Sequence, residues 1–294
     1  HDCYEATGKT MRCNDFIVRL VKLKNEFSWL KDVNSQSLQP AARNADRAFV
    51  NFFEKRAKRP RFKSKHTGRQ SFQCPQHCKV LFPKIGTKGH IVLPKIGPIK
   101  AILHRRFSGT VKTVTVVRYP SDKYYASVLV DDAQALLAPD AIDFEHTAGI
   151  DAGIKTAFTV VSQSGTEKIE NPTFFKKNSE QLKKQQKRLS RCKRTVTFKE
   201  NEKGEKVKEV TISKRYEKVR HELARTHEKI RHRRKDWISQ VTRQLVNDSQ
   251  VTTYVIKDLN LKGMVKNHHL ARAISDVGIG NFYRILRYKL EAAG

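Results

Sequence analysis

The sequence predicts a multi-domain α/β protein, because three stretches of the chain follow different hydrophobic patterns. Apolar residues recur at helical spacing up to about Arg56, whereas short alternating segments separated by glycines follow it. The last half of the chain combines β-branched runs with long charged helical stretches. We therefore predict a helical domain over residues 1–56, a β-rich domain over 57–142 and an α/β domain over 143–294 with a helical insertion over 173–235.

The helical domain is predicted from two apolar stripes with i, i+3 and i+4 spacing. Leu20 and Leu23 belong to the first stripe, and Asn34 with Ser35 stands where the N-cap of the second helix is expected. The second stripe consists of Leu38, Ala41, Ala42, Ala45, Phe49, Phe52 and Phe53. A small bundle that packs these stripes together is the expected structure, with Arg43, Arg47, Lys55 and Arg56 on its polar faces.

The β-rich domain is predicted from alternating segments at Ile91–Leu93, Val111–Val117 and Tyr124–Val130. A turn at Pro120-Ser121-Asp122 separates the last two. The entry to this domain, Arg59 to Lys65, interleaves basic residues with Phe62, a pattern that suits phosphate contact and base stacking. Two cysteines, Cys74 and Cys78, flank a histidine, but no second ligand pair follows them, so we predict no zinc site.

The α/β domain opens with a predicted strand that runs into Asp151 and a second strand at Ala157–Ser162. Residues 173–235 carry 23 Lys and Arg against 8 Glu, and the loss of periodicity over 195–211 predicts a helical hairpin with an intervening loop. Trp237–Val246 is predicted as a separate amphipathic helix. A β-branched run, Thr252–Ile256, is typical of a buried strand and leads directly into Lys257.

The charge of the chain points to nucleic acid as its partner. There are 59 Lys and Arg against 29 Asp and Glu, a formal net charge of +30, and a polyanion is the natural counterpart of such a surplus. No apolar run is long enough to span a membrane, and the five scattered cysteines do not form a disulfide framework. We expect a cytoplasmic, nucleoid-associated protein with no membrane partner. Because the chain begins at His1 without a methionine, we also expect that an upstream segment precedes it, including the first strand of the β-rich domain.

Three ordered motifs give the chain its resemblance to a known family. They are Gly149-Ile150-Asp151-Ala152-Gly153-Ile154-Lys155-Thr156, Lys257-Asp258-Leu259-Asn260-Leu261-Lys262-Gly263-Met264, and the run from Lys266 to Asp276. Together with Asn171-Pro172, Phe62-Lys63-Ser64-Lys65 and Leu93-Pro94-Lys95-Ile96-Gly97, they resemble the TnpB (OrfB) family of transposon-encoded, RNA-guided DNA endonucleases. The resemblance implies a helical REC-like domain, a β-barrel wedge-like domain and an RNase H-like (RuvC) nuclease domain in a bacterial protein.

The resemblance also implies a metal-dependent nuclease site, which this chain departs from at one position. Such a site needs converging carboxylates that hold two divalent ions, and the family supplies an Asp, a Glu and a C-terminal Asp. Asp151 matches the first, but Lys257 stands where the Glu belongs, and its ammonium repels a cation. We therefore expect a vestigial Asp151, no resident metal and no cofactor, with Lys257 paired to Asp151 so that its removal lowers stability.

The leading functional hypothesis is a nuclease-dead, RNA-guided repressor that occupies guide-matched double-stranded DNA without cutting it. Its partners would be a structured guide RNA and the target DNA. The alternatives are an active endonuclease that uses Mg²⁺, Asp151, Asp258 and a C-terminal Asp, or a guide-free accessory protein of transposition. The residues expected to contact nucleic acid are Arg43, Arg47, Arg59, Arg61, Lys63, Lys65, Lys183, Lys187, Arg188, Arg191, Lys262, Lys266 and Arg272.

Overall fold

The structure is a computed structural model that describes residues 8, 11–61, 69–135, 138, 142–200, 206–248 and 250–293; within these ranges the side chains of 198–200 and 206–209 are not described. The chain forms two compact units, His1–Gln134 and Ala135–Gly294, and is a mixed α/β protein as predicted. The division into three domains at residues 56 and 142 stays a prediction.

Among its described residues, the first unit contains two helices, a short 3-10 turn at Ser28–Lys31 and six strands. In chain order these are α1 (Cys13–Glu26), α2 (Ser35–Phe53), β1 (Gln70–Cys74), β2 (Lys79–Leu81), β3 (Lys88–Leu93), β4 (Gly97–Ile102), β5 (Thr110–Arg118) and β6 (Tyr124–Asp131).

The two helices form as predicted, and the cap of α2 is confirmed: the Asn34 side chain accepts a hydrogen bond from the Gln36 backbone amide at 2.8 Å. The expected packing of the second stripe is wrong, however. Phe49 and Phe53 stack on one another but are 41% and 62% exposed. Only Pro40 of α2 is buried among the described residues, so the helix presents an aromatic surface rather than a bundle core.

The three predicted β segments are confirmed as parts of β3, β5 and β6. They lie in two antiparallel sheets with the orders β1-β5-β6 and β2-β3-β4. The turn between β5 and β6 closes where the Asp122 amide donates to the Tyr119 carbonyl at 2.9 Å. A small core joins the sheets and consists of Cys74, Cys78, Ile91, Leu93 and Val114.

In the part of the second unit that the structure describes there are a four-stranded sheet, a two-stranded sheet and six helices. Its elements in chain order are β7 (Thr147–Ala152), β8 (Thr156–Ser162), β9 (Gly165–Glu170), α3 (Phe174–Lys177), α4 (Ser179–Ser190), β10 (Arg194–Glu200), β11 (Lys206–Ile212), α5 (Lys214–Val246), β12 (Thr253–Ile256), α6 (Leu261–Met264), α7 (Ala271–Val277) and α8 (Ile279–Ala293).

The four-stranded sheet has the order β12-β7-β8-β9, in which only β12 and β7 are parallel. Its core face packs against α5 and α8. Phe158 on β8 lies at the centre, with its ring centroid 3.7 Å from that of Phe282 and 6.0 Å from that of Trp237. Burial of these large rings supplies much of the free energy that holds the helices on the sheet.

Three expectations for this unit need correction. Where a loop was predicted over 195–211, residues 194–200 and 206–212 form two antiparallel strands with seven paired positions, from Arg194 opposite Ile212 to Glu200 opposite Lys206. The predicted second basic helix and Trp237–Val246 form one helix, α5, of 33 residues. Strand β9 was absent from the prediction, because its sequence Gly-Thr-Glu-Lys-Ile-Glu has a single strongly apolar residue.

The run Thr252–Ile256 does form a strand, β12, but its predicted burial is wrong. Val255 is 59% exposed and Ile256 is 40% exposed. The strand lies at the edge of the sheet as the structure describes it, so only its side toward β7 is paired.

Candidate functional site

The register of the parallel pair brings the two key sequence positions together. Tyr254, Val255 and Ile256 on β12 lie opposite Ala148, Gly149 and Ile150 on β7. Lys257 follows Ile256 at the end of β12, and Asp151 follows Ile150 on β7. The two residues therefore lie at the same level of the sheet. Adjacent strands are about 4.8 Å apart, which places Lys257 directly beside Asp151.

The expected ion pair between these two side chains is not formed. Both residues are exposed, and the ion pairs found in the described parts of the chain do not include one that joins them. The structure therefore removes the basis for a stabilising role of Lys257, since an exposed, unpaired lysine contributes little to folding.

Asp258, the carboxylate considered as a substitute, lies beyond the end of β12. It is exposed and lines an open depression of about 480 Å³ with Leu259, Asn260, Leu261 and Lys262. Across the described residues, no group of three or more His, Cys, Asp or Glu side chains is arranged to hold a metal ion. The side chains beside Asp151 do not fit a divalent-ion pair, because the neighbouring position carries an ammonium instead of a carboxylate.

Asp151 lies on the sheet face that is opposite the core. Along β7 the side chains of Ala148 and Ile150 are buried, whereas Gly149 and Asp151 occupy the alternate positions. The neighbours of Gly149 on this face are Val255 and Val161, which are 59% and 52% exposed. The face around Asp151 is thus open in the described structure.

Two hydrogen-bonded residues join distant segments of the second unit, and the sequence analysis did not assign either role. Asn171, from the Asn-Pro motif, donates to the Ile154 carbonyl in the hairpin after Asp151 at 2.8 Å. Asp276, from the third motif, accepts hydrogen bonds from the Phe175 and Lys176 amides at the start of α3 and from Arg234 on α5. Both contacts span long sequence separations, which spacing along the chain does not reveal.

Tyr283 on α8 contributes a polar group near Asp151. Its hydroxyl is buried and has no hydrogen-bond partner among the described residues. Burial, followed by the negative charge of Asp151, raises the pKa of Tyr283 above its usual value.

The two paired cysteines belong to the core of the first unit. The Cys74 Sγ lies 3.3 Å from the Ser37 hydroxyl of α2, and the Cys78 thiol contacts the Cys74 carbonyl. Burial raises the pKa of Cys78 to about 11, with a further contribution from Cys74. A thiol in this state is protonated at neutral pH.

A groove of about 920 Å³ lies between α2 and the sheet β1-β5-β6. Its floor is a row of polar side chains on adjacent strands, Gln73, Thr115 and Ser127. Arg43 and Arg47, both predicted as nucleic-acid contacts, line its helical wall together with Asp46. Arg56, which is ion-paired to Glu54, lines the groove after the end of the helix. Guanidinium groups above hydroxyl and amide groups form a surface suited to a sugar–phosphate backbone.

The remaining predicted basic contacts are dispersed over exposed surfaces. Arg59 and Arg61 are exposed in the first unit, and Lys63 and Lys65 lie outside the described residues. Arg188 is ion-paired to Glu222 at 3.2 Å, and Arg272 lies over the Phe175 ring at 5.8 Å. The other exposed members of the set are Lys183, Lys187, Arg191, Lys262 and Lys266.

None of the helices that the structure describes is both long and apolar enough to cross a membrane.

Comparison with known proteins gives two kinds of match. The model of the family OrfB_IS605, described as a probable transposase, matches residues 142–268. A Streptomyces pristinaespiralis protein named "Putative RNA-guided DNA endonuclease" is 33% identical over 271 residues, which are 91% of this chain and 60% of that protein. "Putative RNA-guided DNA endonuclease InsQ" of Escherichia coli K12 is 30% identical over 267 residues, 90% of this chain and 58% of its own length. The chain thus spans about three fifths of each relative.

Proposed function

Because the chain belongs to the TnpB (OrfB) family, we propose that it is an RNA-guided DNA-binding protein that occupies its target without cutting it. In this proposal the second unit is a RuvC-like domain with an inactivated site, and the first unit supplies the REC-like and wedge-like parts. Occupancy of a guide-matched promoter would repress transcription. Guide pairing would select the sequence, while the protein would contact backbone and duplex shape.

The observation that carries the proposal is the position of Lys257 beside Asp151 in the register of β12 and β7. A two-metal nuclease needs carboxylates at both positions to offset the charge of its cations. An ammonium at one of them adds a positive charge where a cation would have to bind, so the net charge of the pair changes from −2 to zero. That change disfavours divalent-ion binding whatever other ligands are supplied.

The capacity to bind nucleic acid is supported independently of the cutting site. The net charge of +30 favours association with polyanions, and the groove lined by Arg43, Arg47 and Arg56 offers a place for a phosphate backbone. Loss of cleavage therefore need not entail loss of binding.

The experiment that tests guided binding is sequencing of the RNA that co-purifies with the protein. A discrete structured RNA that ends in a short variable segment is expected. The recovered segment should match promoter DNA, and a reporter gene that carries this match should be repressed when protein and RNA are both present. Recovery of only heterogeneous RNA would contradict the guided mechanism.

A matched pair of variants strengthens the reporter assay. Arg43→Gln and Arg47→Gln together should weaken target binding, because they remove two guanidinium groups from the groove. Arg287→Gln removes an exposed charge of the second unit that is already paired with Glu291, and it should leave repression unchanged.

The relatives' names favour one competing function, an active RNA-guided endonuclease. In that case Asp151 would be needed for cleavage of a guide-matched target. The protein purified with its RNA can be assayed both for binding and for cleavage of the target.

A further inference from the structure

The open face of the sheet around Asp151 carries a row of side chains that crosses β7, β8 and β9 and extends to the residue that follows β12. Asp151 lies opposite Thr159, and Thr159 lies opposite Lys168 on β9. Lys257 extends the row on the other side, one residue beyond the last pair of β12 and β7. The row therefore has an ammonium at each end, and the two lysines are separated by about three strand spacings, roughly 14 Å.

Both terminal lysines are available for a ligand. Each is exposed, and neither belongs to an ion pair in the described parts of the chain. The adjacent row on the same face has Val255 and Val161 on either side of Gly149, with Thr166 next to Val161 on β9. The space above Gly149 is open, since a side chain added there would meet no atom within 4 Å.

We propose that this face binds a single strand of nucleic acid without divalent ions, with Lys257 as a phosphate ligand in place of the missing cation. The inference deepens the proposed function, because it gives the inactivated site a role in holding a strand. The ammonium groups complement the phosphates, and the exposed side chains of Val255 and Val161 offer an apolar surface to unstacked bases. A duplex presents phosphates but conceals the base faces, so the combination favours a single strand.

Removal of the Asp151 charge distinguishes this arrangement from a metal site, because it changes the affinity for nucleic acid in opposite directions in the two cases. In a metal site the carboxylate recruits the cation that binds the phosphate, so its removal weakens binding. On the surface proposed here no cation intervenes, and the Asp151 carboxylate repels the phosphate held by Lys257. Removal of its charge should then tighten binding.

The test is fluorescence anisotropy of the full chain with a labelled oligo-dT of twelve nucleotides in EDTA, at several salt concentrations. Lys257→Gln should weaken binding by roughly three- to tenfold and reduce the salt slope of log Kd by about 0.7, the value for one phosphate contact with a single strand. Asp151→Asn should tighten binding by a few-fold. The control Arg287→Gln, on the helix that covers the opposite face of the sheet, should change neither quantity.

Several outcomes would overturn the inference. They are an unchanged affinity for Lys257→Gln, a loss no larger than that of Arg287→Gln, weaker binding for Asp151→Asn, or an equal effect of Lys257→Gln on a blunt duplex of the same length. The oligonucleotide contains no guide match, so failure of guided repression would leave these comparisons intact.

Discussion

Replacement of Asp276 by alanine should destabilise the second unit more than replacement of the exposed Asp151 or Asp258. The Asp276 side chain is only 5% exposed and joins three segments of the chain. Its Oδ1 accepts from the Phe175 amide and from Arg234 Nη2, both at 2.9 Å, and its Oδ2 accepts from the Lys176 amide at 3.1 Å. The carboxylate therefore holds the start of α3 against α5 and α7.

The magnitude follows from what the substitution leaves behind. Two backbone amides lose their acceptor, and Arg234, whose side chain is 21% exposed, loses its counter-ion. Removal of one partner from a buried ion pair costs about 3–5 kcal/mol, and we expect Asp276→Ala to fall in this range. Asp276→Asn keeps one carbonyl acceptor and a similar volume, so it should cost about half as much.

The measurement is urea unfolding followed by tryptophan fluorescence. The chain has two tryptophans, of which Trp29 is 61% exposed in the first unit and Trp237 packs against Phe158 and Phe174 in the second. In a Trp29→Phe background the signal reports the second unit alone, which avoids mixing two transitions. Asp258→Ala is the control, because that carboxylate is exposed, and it should change the free energy of unfolding by less than about 0.5 kcal/mol.

A loss for Asp276→Ala no larger than that of the Asp258→Ala control would refute the assignment of Asp276 as a structural clamp. The double variant Asp276→Ala with Arg234→Ala provides a second check. If the two residues act through one contact, the double variant should lose less than the sum of the single losses.

Three further predictions concern single side chains. Lys257→Ala should change the free energy of unfolding by less than about 0.5 kcal/mol, since Lys257 is exposed and unpaired. A loss above about 1 kcal/mol in the same urea assay would indicate that the ion pair with Asp151 does form. The Tyr254 hydroxyl donates to the Leu245 carbonyl at 2.7 Å, and burial, with Asp248 and Glu167, raises its pKa from 10.0 to about 12. This raised pKa adds stability that is complete below pH 10 and is lost as the pH rises through 12, so Tyr254→Phe should flatten the stability profile in that range and cost about 1 kcal/mol below it; an unaltered slope would contradict this. Cys78, with its pKa near 11, should react with iodoacetamide at pH 8 at least about tenfold more slowly than the half-buried Cys192. The two rates are measured by mass spectrometry of the alkylated protein, and equal rates would show that Cys78 is not buried.

Much of the fold follows from local pattern. The cap at Asn34, the alternation of Val111–Val117 and the β-branched run before Lys257 each produced the predicted element, because each signal is complete within a few residues. The strand pair Arg194–Glu200 and Lys206–Ile212 was missed because the loss of helical periodicity over 195–211 was interpreted as a loop between two helices.

The candidate site was predictable in part. The pairing of Asp151 with the Lys257 position came from the motifs, and the parallel register of β7 and β12 agrees with it. The clamp at Asp276 and the tie from Asn171 to Ile154 depend on contacts across 101 and 17 positions, which no local pattern contains. The absent ion pair at Lys257 is likewise a matter of side-chain placement rather than of sequence.

The most direct measurement of the central claim is incubation of the protein and its co-purified RNA with a guide-matched plasmid in Mg²⁺ and then in Mn²⁺. Retention and cutting are scored in the same reaction. We predict that the plasmid is bound and stays supercoiled, and that Asp151→Asn leaves this result unchanged. Linear or nicked product that disappears in the Asp151→Asn variant would show that the site cuts and would contradict the account.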